Sequence, residues 1–147
     1  MPVESARPAP PAAALASTLA VSVMRLARRL RQERDTDLTA TQLSALGSIL
    51  RHGPVTIGAL AAYERVQPPS MTRTVNCLLE LGMVTRASHP TDGRQVIVML
   101  SEDGQELLET ERRRRDAWLA RRLRELDADE RELLRRAVAL LEGLAQA

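Results

Sequence analysis

Two adjacent prolines, Pro68 and Pro69, constrain the fold of this chain more than any other feature. Neither has an amide hydrogen and each holds φ at roughly −65°, so the pair is excluded from a helix interior and from a central strand. Both suit the first turn of a helix, where amide hydrogens lack intrahelical partners anyway. They mark the start of a helix near residues 68–81, closed by Gly82. Just before them, Thr56 can cap a short helix from Ile57 to about Arg65, and only Val66–Gln67–Pro68 separates the two. Small residues in the first helix (Ala59, Ala61 and Ala62) allow close approach. Two short helices on so tight a connection are a helix-turn-helix candidate.

The flanking pattern extends this reading. Leu15, Leu19, Val23, Leu26 and Leu30 recur at spacings of three and four, which predicts a helix from Leu15 to Arg34 with one apolar stripe. Arg25, Arg28, Arg29 and Arg31 cover its other sides. Thr39 and Gln42 have capping-box spacing and open a helix carrying Leu43, Leu46, Ile49 and Leu50, stopped at Gly53–Pro54. Past Gly82 the character changes. Met83–Ser88 and Gln95–Leu100 are short and β-prone, and His89-Pro90-Thr91-Asp92-Gly93-Arg94 between them supplies turn signals, which predicts a hairpin with a polar tip. Ser101 then caps a long helix to about Leu123. Asp127 and Glu130 form a second capping box before a final helix striped with Leu133, Leu134, Leu140, Leu141 and Leu144. Ala137 lies on that stripe without an assigned role.

The expected fold class is therefore mainly α with a small β-hairpin wing: a winged helix-turn-helix flanked by N- and C-terminal dimerisation helices. Residues 1–14, rich in Pro and Ala, read as a disordered arm, and 15–147 as a single domain. Within it, 38–101 is the winged module, and 15–35 and 102–147 hold the dimerisation helices. A small module cannot cover both outer stripes, so Leu15, Leu19, Val23 and Leu26 with Leu133, Leu140, Leu141 and Leu144 are expected to pack on a second copy. Trp118 is placed with them, packing at the dimer helices being preferred over lining an effector pocket.

Composition limits the function classes. A chain of 147 residues with 44% hydrophobic and 27% charged content is an ordinary globular protein, with no apolar run long enough for a membrane span. A lone cysteine, Cys77, excludes an internal disulfide and fits a reducing compartment, so a cytoplasmic, nucleoid-associated location is expected. The net charge of +2 does not by itself point to nucleic acid. All 21 basic residues are arginine, which coding bias explains, although arginine also contacts phosphate and guanine in bidentate fashion.

The candidate interface is the helix at Pro69–Leu81. Met71, Val75, Leu78 and Leu79 fall on one arc and should face the core, while Pro69, Arg73, Asn76 and Cys77 lie opposite, with Ser70 at the edge. A recognition helix needs this split. Arg73 can pair with guanine and Asn76 with adenine. Gln67, Ser70, Thr72 and Thr74 are candidate phosphate or base-edge donors. At the hairpin tip, Asp92-Gly93-Arg94 is either a plain solvated turn or a wing. In a wing, Gly93 makes the turn, Asp92 braces the loop or Arg94, and Arg94 enters a minor groove. Arg86 is a candidate phosphate contact.

These residues carry a resemblance. Pro68-Pro69-Ser70-Met71-Thr72-Arg73, then Leu78-Leu79-Glu80-Leu81-Gly82-Met83-Val84-Thr85-Arg86, the wing Asp92-Gly93-Arg94 and the strand end Val98-Met99-Leu100-Ser101 resemble the multiple antibiotic resistance regulator (MarR) family in order and spacing. With the flanking helices the resemblance covers roughly residues 15–146. It implies a homodimer with interlocked terminal helices and a pseudo-palindromic operator in double-stranded DNA. It also implies a mostly repressive role and release by a small phenolic or anionic effector, for which no residue can be carried over. Family redox sensors commonly use a cysteine near the first helix, and this chain has none there.

Alternatives are a winged-helix module for protein–protein contact and a redox-responsive regulator using Cys77. The first predicts an apolar or acidic recognition arc, against Arg73 and Asn76. The sequence has no Ser-His-Asp set, no zinc spacing and no phosphate-cradling glycine loop, so no enzyme activity is expected, and no cofactor. His52 and His89 lack metal spacing and read as surface or loop histidines. The run Arg112–Arg115 spans a whole helical turn and is expected to pair with Glu106, Glu109, Glu111 or acidic residues of the last helix.

Overall fold

The computed structural model describes residues 7–147, so the first six residues of the expected arm lie outside the described residues. The element order is α1 (Ala12–Arg31), α2 (Ala40–His52), β1 (Val55–Thr56), α3 (Ile57–Glu64), α4 (Pro68–Glu80), β2 (Val84–Ser88), β3 (Val96–Leu100), α5 (Glu102–Arg124) and α6 (Ala128–Gln146). The architecture is the mainly helical one with a β-hairpin wing that the sequence predicts.

Local chemistry sets most boundaries. Thr39 Oγ1 accepts the Gln42 amide at 3.1 Å while Gln42 Oε1 accepts the Thr39 amide at 2.9 Å, satisfying two orphan donors of α2. Asp127 and Glu130 repeat this at α6, at 2.8 and 3.0 Å. Thr56 caps α3 through the Ala59 amide at 3.1 Å, and Ser101 caps α5 through the Gly104 amide at 3.0 Å. Gly53 and Gly82 adopt φ of +76° and +74°, so α2 and α4 stop where glycine permits a positive φ.

Asp35–Asp116 is one compact unit. Its core is a single cluster, with Ala45, Leu46 and Ile49 from α2, Leu60 and Ala61 from α3, and Met71, Val75 and Leu78 from α4, closed by Val55, Val84 and Val98 of the sheet. Three details depart from the sequence reading. Leu50 is 51% exposed, because it lies at the edge of the buried arc formed by Ala45, Leu46 and Ile49. A third strand exists: β1 pairs with β3 (Val55↔Val98, Thr56↔Ile97), making β3 central in the order β1-β3-β2. Two residues carry no readable period. Finally, the unit runs past residue 101 into α5, because Leu107 and Leu108 pack on the core cluster.

The start of α5 is tied to the turn after α4. Gly104 lies so close to the Met83 carbonyl that a β-carbon would collide with that oxygen. The same carbonyl accepts the Ser101 amide at 3.1 Å, and Ser101 Oγ donates to the Gly82 carbonyl at 2.5 Å. Farther along α5, Arg114 pairs with Asp35 at 3.0 Å and Arg115 with Asp116 at 2.9 Å, replacing the expected glutamate partners. Glu111 is engaged otherwise, accepting the Asp35 amide at 3.2 Å.

The other unit contains α1 and the chain from Ala117 onward. Its first helix begins at Ala12 and ends at Arg31, earlier at both ends than the Leu15–Arg34 expected. Neither α1 nor α6 has a buried residue. Leu15, Val23 and Leu26 on α1 and Leu133, Leu140, Leu141 and Leu144 on α6 are exposed, Leu140 by 72%; Leu19 is half-buried. Trp118 differs from these residues. It is buried, with the guanidinium of Arg29 4.4 Å and that of Arg122 5.7 Å from its ring centroid, so its own chain covers it and it does not join the exposed stripes. On α6, the Arg135 guanidinium beside Glu132 holds that carboxyl below its usual range.

Candidate nucleic-acid interface

The recognition element is aimed by the turn that precedes it. Arg65 sits in the left-handed region at φ +55°, and the Val66 amide donates to the Ala61 carbonyl at 3.0 Å, closing α3 as glycine usually does. Nothing in the sequence signals this turn, since arginine is not a preferred left-handed residue. The end of α3 is fastened to α2: Glu64 accepts Ser44 Oγ at 2.9 Å and the buried Ser48 Oγ at 2.8 Å. Beside it Tyr63 stacks on His52, with ring centroids 3.7 Å apart and 5° between planes.

Around α4 the expected split is present. Met71, Val75 and Leu78 are buried, and Leu79 packs against the cluster. Pro69, Thr72, Arg73, Asn76 and Cys77 are exposed, as is Gln67 at the N-cap, while Ser70 and Thr74 are half-buried. The two threonines are narrower candidates than their type suggests. Thr72 Oγ1 donates to the Pro68 carbonyl at 3.0 Å and Thr74 Oγ1 to the Ser70 carbonyl at 3.1 Å. Their hydroxyl hydrogens are thus engaged within the helix, which leaves lone pairs for an outside partner.

The wing is the β2–β3 hairpin. Arg86 lies opposite Val98, on the ribbon face that carries Val84 and Val98 into the core, yet on the edge strand β2 it is exposed. At the tip, Asp92 Oδ1 accepts the Arg94 amide at 3.1 Å and Oδ2 meets Gln95 Nε2 at 3.5 Å. The brace therefore acts on the backbone of Arg94, whose side chain stays exposed. Gly93 is outside the left-handed region, so the tip does not depend on glycine's conformational freedom as the sequence suggested. His89 is a loop residue, as the sequence indicates, and its Nδ1 accepts the amides of Thr91 at 3.2 Å and Asp92 at 3.1 Å. No sequence signal announces these bonds, since the local side-chain-to-amide motifs of turns belong to Ser, Thr, Asn and Asp.

An open cleft of about 360 Å³ lies among Asp35, Asp103, Glu106, Leu107, Thr110 and Glu111. Its carboxylates oppose an anion. Among the described residues no group of His, Cys, Asp and Glu is placed to hold a metal, and no helix is long and apolar enough to cross a membrane.

A helix-turn-helix whose second helix shows a polar arc to solvent, followed by an arginine-bearing hairpin, defines a winged helix-turn-helix regulator of transcription. Comparison with known proteins agrees. The MarR family matches residues 38–96. An HTH-type transcriptional regulator of Mycobacterium bovis is 50% identical over 133 residues, covering 90% of this chain and 93% of that protein. A crystal structure from Pseudomonas aeruginosa PA01 matches with a TM-score of 0.85 at 36% identity, over 95% of this chain and 99% of that one. The apo form of wild-type MarR from E. coli matches with a TM-score of 0.67 at 26% identity, over 91% and 98%. The chain belongs to the MarR family, whose members regulate transcription and are not enzymes.

Proposed function

We propose that this protein is a repressor that binds a pseudo-palindromic operator as a homodimer in the bacterial cytoplasm. The observation that carries the reading is the exposed arc of Arg73 and Asn76 on a helix whose opposite side, Met71, Val75 and Leu78, is locked in the core. Arg73 reads guanine, Asn76 reads adenine, and Gln67, Pro69 and Ser70 approach the backbone and base edges at the helix start. Thr72 and Thr74 act as acceptors, Arg86 meets phosphate, and Arg94, set by Asp92, enters the adjacent minor groove. The exposed stripes of α1 and α6 supply the second copy's docking surface, which spaces two half-sites about one helical turn apart. Release by a small phenolic or anionic effector is carried over from the family resemblance.

Selection of duplexes from random DNA with the purified protein tests the reading. A palindromic consensus is expected, and Arg73→Ala should cost about 1–3 kcal/mol of binding to it while relaxing the preference at one position per half-site. Recovery of no consensus, or an Arg73→Ala protein with unchanged affinity and preference, would refute it.

A further inference from the structure

The wing tip contains a titratable residue with a demanding role. Two backbone amides, of Thr91 and Asp92, point at one ring nitrogen, His89 Nδ1, at 3.2 and 3.1 Å, and Thr91 Oγ1 lies 3.3 Å from it. An imidazole nitrogen can accept such bonds only with a free lone pair, so the proton of the neutral ring belongs on Nε2. The contacts then run in series. The ring fixes the Asp92 amide, the Asp92 carboxylate fixes the Arg94 amide at 3.1 Å, and the Gln95 amide returns to the Asp92 carbonyl at 3.1 Å. Below them the His89 amide donates to the Gln95 carbonyl at 3.0 Å and closes the base of the loop.

We propose that His89 is the positioning residue of the wing: its neutral imidazole sets the loop that presents Arg94, and protonation of the ring opens the loop and weakens operator binding. The proposal rests on the reading of Arg94 as a DNA contact. A proton on Nδ1 would replace an acceptor with a third donor facing two amide donors, so the tip has to rearrange. The charged residues of the hairpin are Asp92 and Arg94 in the loop and Arg86 in β2, with none in β3. Asp92 directs its oxygens to the Arg94 amide and the Gln95 side chain, and does not substitute for the ring as acceptor. The device uses the side-chain type whose charge ordinarily changes within roughly pH 5–8. Its sign is diagnostic. A histidine that merely gained charge beside DNA would bind phosphate better in acid, whereas loss of the two amide bonds predicts weaker binding.

The test measures affinity of the full-length protein for the duplex selected from random DNA, at constant ionic strength, between about pH 7.5 and about pH 5.5. Wild type is expected to lose affinity about tenfold on acidification, the scale of two lost hydrogen bonds. His89→Asn places a non-titrating acceptor close to the position of Nδ1 and should bind like wild type at the higher pH with a flat profile. His89→Ala should be weak throughout, and His52→Gln, at the only other histidine, should keep the wild-type profile. Wild-type affinity that holds or rises in acid, or a His89→Asn profile like that of wild type, overturns the proposal. Ring ¹⁵N shifts of the free protein give a second readout: a proton on Nδ1 at the higher pH also overturns it. Arg94→Ala separates the two levels. If it binds as wild type the wing reading falls, and if it is weak while His89→Ala is not, only the role of His89 falls.

Discussion

The winged module and the outer helices are both rich in leucine, alanine and arginine, yet they bury those residues in opposite ways. In Asp35–Asp116, helices and strands from the length of the unit meet in one cluster, and Leu46, Leu60, Met71 and Leu78 are fully buried. In α1 and α6 no residue is buried, although the apolar stripes are as regular as those of the module. The difference teaches that amphipathic periodicity identifies a helix and its apolar side but not what covers that side. Burying one leucine contributes about 1.5–3 kcal/mol, so the exposed stripes hold a large unused driving force for association. The module needs only its own contacts to present α4, whereas under the proposed function the stripes pair two modules.

Breaking the outer stripe should have the largest effect. Leu133→Glu combined with Leu140→Glu, both at exposed positions of α6, should convert the protein from dimer to monomer in sedimentation while leaving helical circular dichroism largely intact. A dimer that persisted would remove the second copy as the occupant of that face. Next is Leu46→Ala in the module core, expected to cost about 2–5 kcal/mol in urea unfolding; a loss below about 1 kcal/mol would contradict its full burial. Gly104→Ala should follow at about 1–3 kcal/mol, because the new methyl group meets the Met83 carbonyl and the start of α5 must shift. Unchanged stability there would mean that the α5 junction is looser than the packing indicates. The smallest effect has the opposite sign. Arg65→Gly should stabilise by about 0.5–1 kcal/mol, since glycine adopts the left-handed turn without strain, and destabilisation would show that the arginine side chain contributes something the turn geometry does not reveal.

Much of the fold was legible from particular residues. Thr39 with Gln42 and Asp127 with Glu130 form the capping boxes their spacing announces, and Gly53 and Gly82 end the helices that precede them. The buried back of α4 followed from the positions of Met71, Val75 and Leu78. Less legible were features that depend on atoms far apart in sequence or on atypical residues. Strand β1 is too short for a period and is defined by its partner β3. Glu64 finds Ser44 and Ser48 only because α3 crosses α2, and Trp118 meets Arg29, a residue of α1 that the chain order alone could not assign to it.

The same division applies to Pro68 and Pro69. The sequence by itself determined that a helix starts there, because two residues without amide hydrogens fit a first helical turn, and it determined which side of that helix is apolar. It also determined the hairpin that follows, through β-prone segments around a polar turn. Tertiary structure decided how those parts are aimed. The left-handed Arg65, the Glu64 bonds to α2, the contact of Gly104 with Met83 and the amides gathered on His89 are geometric facts about groups brought together by folding. Propensity and periodicity act over one or two turns of chain. Direction is set by contacts that close only when distant segments meet.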